Sequence, residues 1–263
     1  MCIRMTVAFF AILVGLGGCA AQTPFQWSQP AQITSDASLK LIERIRERQG
    51  AFMVVAYRVE AVGFPVGKPL ELWWRNTIRS YEGKRGTVVV DQQGTVRWQS
   101  TDIDAPIVAG GLIAQVWHAA TDPSKGKEVL IAHSKNLLGQ HYEWALFDKE
   151  SGQVAVAKVI PFPLVAEGTG GCRLSAELWS PNGTVFQIIA EGFVGNEELT
   201  FTSQSDGDAL QQRIKFPSNG PLSTEYMPEV VGKSSGEASI TFAGTGCTVS
   251  RKLNWGQAAL VVQ

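Results

Sequence analysis

Histidine is scarce in this chain, with three among 263 residues, and cysteine is little commoner with four. The formal net charge is only −1. Lys and Arg are scattered along the chain, so there is no electrostatic footprint for nucleic acid. Long apolar runs are missing beyond residue 18, which argues against a polytopic membrane protein. So few histidines and cysteines leave little material for a metal centre. His118, His133 and His141 match no zinc spacing and have no Cys beside them. His133 and His141 flank an expected loop, which places them at the surface. No metal and no cofactor is expected.

Glycine (27) and proline (12) are instead plentiful, mixed with many Val, Ile, Thr and Trp, and point to short strands and turns. Period-two alternation marks strands near 51–61, 69–79, 86–91, 94–99, 111–119, 128–133, 141–147, 153–160, 172–179, 184–190, 197–203, 209–216, 238–243 and 247–254. Turn chemistry such as Gln93-Gly94 and Pro181-Asn182-Gly183 separates many of them. One helix is expected, from a cap at Ser35 or Asp36 to Gln49. Leu39, Ile42 and Ile45 recur at helical spacing, and Gly50 stands where a C-cap would.

At the N-terminus Arg4 precedes an apolar stretch from Thr6 to Val14, too short to span a bilayer. Leu16-Gly17-Gly18-Cys19 follows. This segment resembles the lipobox of bacterial lipoproteins. The resemblance implies cleavage before Cys19, a lipid on that cysteine and a body outside the cytoplasm. Ala20, where Asp would retain an inner-membrane lipoprotein, implies the outer membrane. An ordinary secretory signal with a chance cysteine is the alternative.

The expected organisation is a signal peptide over 1–18, a polar tether over 19–35, the helix and a first β-sandwich module over 36–160, and a second module over 161–263. The boundary lies at Pro161-Phe162-Pro163, whose prolines interrupt strand pairing. Cys172 and Cys247 form an even pair in an oxidising compartment, and a disulfide is expected. Two buried free thiols are the alternative. The chain also repeats itself. Val59-Glu60-Ala61-Val62-Gly63-Phe64 aligns with Ile188-Ile189-Ala190-Glu191-Gly192-Phe193, and Leu70-Glu71-Leu72 with Leu199-Thr200-Phe201. Val88 to Gly94 falls against Ile214 to Gly220. This strand-GF-loop-strand pattern, best over 172–256, resembles immunoglobulin-like or transthyretin-like modules of bacterial surface proteins. The resemblance implies a mainly β fold of two antiparallel β-sandwiches.

Catalytic motifs fare poorly. Gly232-Lys233-Ser234-Ser235-Gly236 spells G-x-S-x-G, but a strand follows rather than a helix, and all histidines lie upstream. A P-loop ending at Lys233-Ser234 lacks its first glycine, because Met227 stands there. Asp102 with Asp104, and Asp206 with Asp208, are explained by turn formation. The alternation from Leu70 points Trp74 inward and Trp73 outward. Trp73, Arg75 and Asn76 are therefore the candidate ligand surface, suited to stacking a sugar ring, with packing as the other fate of an outward Trp. The function these features favour is a non-catalytic, structural or interaction role at the cell envelope. Its partners would be the membrane, through lipid on Cys19, and an envelope protein or glycan. The rival is a carbohydrate-binding or glycan-hydrolysing protein, for which Glu60, Glu71 and Glu143 are available carboxylates.

Overall fold

The computed structural model describes residues 25, 27, 36–76, 78, 81–101, 126–134 and 136–261. Cys19, Trp117, His118, Asp102 and Asp104, the signal segment and the strand expected at 111–119 lie outside them. Two-residue alternation and frequent turn residues produce strands almost throughout. The first half contains β1 (Ser38–Gln49), β2 (Phe52–Val62), β3 (Leu70–Asn76), β4 (Tyr81–Val90), β5 (Val96–Thr101), β6 (Leu130–Ser134), β7 (Tyr142–Phe147) and β8 (Val154–Val159). The second contains β9 (Leu164–Glu167), β10 (Arg173–Leu178), β11 (Phe186–Glu191), β12 (Glu198–Ser205), β13 (Asp208–Lys215), β14 (Leu222–Tyr226), β15 (Ser235–Ala243) and β16 (Thr248–Gly256), then a 3-10 turn at Gln257–Leu260. Four antiparallel sheets result, with orders β1-β2-β6, β5-β4-β3-β7-β8, β14-β11-β10-β9 and β13-β12-β15-β16.

The expected helix over 36–49 is β1. It pairs with β2 from Ser38↔Val62 to Gln49↔Phe52, with one bulge between Glu43 and Ile45. Leu39 reaches the core and Leu41 packs beside Val55, Tyr57 and Phe162. Eleven paired positions with a partner strand override the favourable helical propensity of its Leu, Lys, Glu, Arg and Gln residues. Gly50 adopts the positive φ (61°) foreseen for a C-cap, but uses it to turn a hairpin.

Each half places two sheets in β-sandwich-like layers over a shared core. In the first, Val59, Ala61 and Ile131 from the three-stranded sheet meet Leu70, Leu72, Val88, Trp98, Tyr142, Trp144 and Leu146 from the five-stranded one. In the second, Leu174, Phe186 and Ile188 meet Leu199, Phe201, Ile240, Phe242 and Trp255. Each Val, Leu, Ile or Phe side chain among them contributes roughly 1.5–3 kcal/mol when fully buried.

The halves also share neighbour relations. With β5 and β9 set aside, β1-β2-β6 corresponds to β10-β11-β14, and β4-β3-β7-β8 to β13-β12-β15-β16, in the same chain order. The aligned segments end β2 and β11. Each is followed by a positive-φ glycine, Gly63 (83°) or Gly192 (78°), and a buried phenylalanine. A Cβ on either glycine would fall within 3 Å of a neighbouring carbonyl, from Asp36 or Gly171. Close backbone approach therefore fixes the residue type at both places. The registers Leu70↔Val88 and Leu199↔Ile214 occupy equivalent positions in the two halves.

The segment at 161–163 is part of a packed seam. Phe162 is buried against Val55 and Tyr57, and Arg46 donates to the Pro161 carbonyl at 3.1 Å. Gly139 donates to the Phe162 carbonyl (2.8 Å), and Leu178 donates to the Gly139 carbonyl (3.0 Å). Leu137 and Ile78 from the first half enter the second-half core. A Cβ on Gly139 would press on Leu164 and on the backbone of Ala176 and Leu178, which explains the glycine at this crossing.

Candidate functional site

Strand β3 divides its tryptophans between two faces. Trp74 packs against the first-half core, with ring centroids 6.4 Å from both Tyr142 and Trp144. Trp73 lies on the opposite face, where Phe25, Phe147 and Val154 form a small apolar cluster over it. Phe25 comes from the expected tether. Its ring stands 5.3 Å from Trp73 and 5.4 Å from Phe147, and it is buried. That part of the tether is docked, because an aromatic ring gains more from this apolar face than from water.

The candidate ligand surface is thereby engaged with the protein itself. Trp73 donates its Nε1–H to Glu71 at 3.0 Å. Arg75 pairs with Glu143 and lies 4.6 Å over the Trp27 ring. Asn76 is buried with 2% of its surface exposed. The available carboxylates are engaged too: Glu60 with Arg58, Glu71 with Lys84 at 3.3 Å, and Glu143 with Arg75. Each of the three thus has a cationic partner within the protein.

The histidines depart from the sequence expectation. His133 and His141 are buried, at 1% and 7% exposure, although a loop lies between them. Strand β6 pairs with the middle of β2, His133 opposite Val55, which carries the imidazole inside. There it sits among Tyr57, Tyr142 and Trp144, with ring centroids at 5.9, 4.6 and 6.3 Å. Among the described residues neither ring nitrogen has a hydrogen-bond partner. Burial pushes its pKa down to about 3, so the ring is neutral at ordinary pH. Beside it the Tyr142 hydroxyl donates to Asn136 Oδ1 at 2.6 Å. Arg85, the extra residue of a bulge in β4 opposite Leu72 and Trp73, stacks 4.2 Å over Trp74. Burial lowers its pKa to about 10.

A second buried polar group lies at the seam. Glu177 of β10 is 2% exposed and receives His141 Nδ1 and Lys158 Nζ, each at 2.5 Å. Burial alone would raise its carboxyl, but the hydrogen bonds from His141 and Lys158 outweigh burial and hold it below the usual range. Both partners come from the first half, so the group clasps the halves together. No signal near Glu177 in the sequence marks it, because all three residues are remote from one another.

Cys172 and Cys247 form a disulfide with Cα atoms 6.1 Å apart. It joins the segment entering β10 to that entering β16, on opposite sheets. Gly168 is fixed by it, since a Cβ there would collide with both sulfurs. Ser234 is exposed on a turn leading into β15, and the described histidines both belong to the other half. A strand rather than a helix follows the serine, unlike the turn of a nucleophile elbow. Asp206 and Asp208 belong to the tight β12–β13 hairpin, with Asp206 at φ 46°. Among the described residues no three His, Cys, Asp or Glu side chains converge as metal ligands do.

No protein-family model matches the chain, and no curated protein matches it at a significant level.

Proposed function

We propose that the chain is a membrane-anchored bacterial envelope lipoprotein with a structural or interaction role and no catalysis. The observation that carries this reading is Leu16-Gly17-Gly18-Cys19 behind a short apolar stretch and a basic residue. The Cys172–Cys247 disulfide supports it, because such bonds persist in oxidising compartments. Immunoglobulin-like modules are part of the reading. Seven shared strands per half, in sheets of three and four, agree with the sandwich architecture that fibronectin-like surface domains use. Such scaffolds present edges and loops to other polymers, and the cation-paired carboxylates above favour that use over hydrolysis. Ala20 after the cysteine directs the protein to the outer membrane on this reading.

Metabolic labelling with a fatty-acid probe tests it. The wild type should incorporate the probe and partition with outer-membrane vesicles, whereas Cys19→Ala should do neither. Equal labelling of both proteins overturns the anchor.

A further inference from the structure

The two halves differ at one equivalent edge. In the first half β4 has β3 on one side and β5 on the other. Strand β5 pairs antiparallel from Val90↔Val96 to Gly86↔Thr101. Its far edge is bonded as well: Val129 donates to the Val96 carbonyl (2.8 Å) and Trp98 to the Lys127 carbonyl (2.9 Å). Strand β5 thus closes the side of the sandwich between β4 and β6. Its alternate residues Val96 and Trp98 are fully buried, and they bury Val88 and Val90 in turn.

The counterpart of β4 is β13, and among the described residues no strand occupies the place of β5. Strand β13 ends its sheet, and among the described residues no ladder joins it to β14. Seven of its eight residues are exposed and Ile214 is half-buried, although Val88 at the matching position is fully covered. Leu210, on the same face as Ile214, is 52% exposed. Backbone direction is also determined. Phe216 donates to the Glu197 carbonyl at 2.8 Å, on the β12 side. Strand alternation then turns the N–H and C=O groups of Ala209, Gln211, Arg213 and Lys215 away from the sheet. The first half agrees, for Asp91 donates outward to the Thr95 carbonyl.

We propose that the β13 edge accepts an extended segment of another polypeptide, added antiparallel, with apolar side chains at alternate positions. Those side chains enter the side of the sandwich between β13 and β14 and cover Leu210 and Ile214, as Val96 and Trp98 cover Val88 and Val90. Main-chain bonds to the four outward residues supply affinity, and the alternate apolar positions supply selectivity. Asp208, Arg213 and Lys215 place three charges in eight residues, which discourages indiscriminate pairing at a free edge. A second copy of β13 fits less well, since Gln212 would come where the buried apolar side chains of β5 stand. The proposal deepens the interaction role above by naming its surface. It does not depend on the lipid, so the two readings fail separately.

The probe is a labelled peptide copying residues 95–101 (TVRWQST), added to the full chain carrying Cys19→Ala. Expected are saturable binding by fluorescence anisotropy and new hydrogen-exchange protection at the Ala209, Arg213 and Lys215 amides. Gln211→Pro removes an outward donor on an edge strand, where proline is tolerated, and should weaken binding at least about tenfold. Leu210→Lys should weaken it similarly while leaving the melting temperature near that of the parent. The proposal is overturned by no saturable binding up to millimolar peptide, or by equal affinity for a scrambled peptide without alternation. Protection elsewhere than β13 also overturns it. Concentration-dependent protection of β13 without peptide would assign the edge to a second copy instead.

Discussion

In the first half the space between the sheets is filled by Trp98, Trp144 and Tyr142, with a neutral His133 and the amides of Asn136 and Gln140 at one end. In the second the same space holds mainly Leu, Ile and Phe side chains with one buried indole, Trp255, and is cross-linked by Cys172–Cys247. The first half closes its side with an extra strand, whereas the second leaves that side open and covalently ties its two sheets. One strand plan therefore tolerates two kinds of interior, because the plan needs only apolar side chains at alternate positions of facing strands. How each half resists perturbation should differ accordingly.

The largest loss is expected in the first half. Trp144→Ala removes a fully buried indole from between two other aromatic rings and should cost ~3–5 kcal/mol. Trp74→Ala, only half-buried, should cost less than Trp144→Ala in urea unfolding. A reversed order would mean that the Arg85–Trp74 stack carries the aromatic cluster. Next comes the double variant Cys172→Ala/Cys247→Ala, expected to lose ~2–5 kcal/mol, since the bond closes a span of 75 residues. Hydrogen exchange should quicken in β10 and β16 before β3 responds. A uniform change through both halves would show that the seam makes them one cooperative unit.

A gain is expected at His133. Replacing it by Leu removes two buried, unpartnered nitrogens and should stabilise the protein by ~1–3 kcal/mol at neutral pH. The pH response is the sharper test. The unfolded imidazole takes up a proton below about 6.5, and the folded one refuses it until about 3. Stability attributable to this residue is thus intact above about 6.5 and is lost as pH falls through that window. His133→Leu should flatten the fall in melting temperature between pH 6.5 and 4.

Glu177→Gln should cost ~1–3 kcal/mol by loosening the clasp. The Glu177 carboxyl lies below its ordinary value when folded. Its contribution is therefore present above about pH 4.5 and disappears as pH falls through the folded value. A seam opened by acid in the parent, and already loose in Glu177→Gln, would confirm that origin by hydrogen exchange at Gly139 and Leu178. The smallest effect belongs to Arg213→Ala, which breaks an exposed pair with Glu198 and should change stability by less than ~0.5 kcal/mol.

The β character of the chain was legible because alternation and turn residues are local signals. So was the division of Trp73 and Trp74 between faces, which follows from counting along one strand from Leu70. The 36–49 segment misled for a physical reason. Glu43 and Arg46 form their ion pair across a β-bulge at the i,i+3 spacing that a helix would also use, and Leu39, Ile42 and Ile45 fit either structure. Only β2 decides between them. His133 is flanked by Ala132 and Ser134, which give no hint that β6 lies against the centre of β2. Strands β9 and β14, four and five residues long, are too short for periodicity to register. The open edge of β13 was invisible in principle, because it depends on a strand that the second half lacks.

The docking of Phe25 on Trp73 and Phe147 fixes a length as well as a contact. Phe25 stands six positions beyond Cys19, and an extended chain covers at most ~3.3–3.6 Å per residue. With lipid on Cys19, the sheet bearing Trp73 then lies no more than ~20 Å from the bilayer surface. A body anchored in this way would be moored on a short line. The β13 edge, set in the other half, would then meet its partner at a height governed by the dimensions of the protein rather than by a swinging linker.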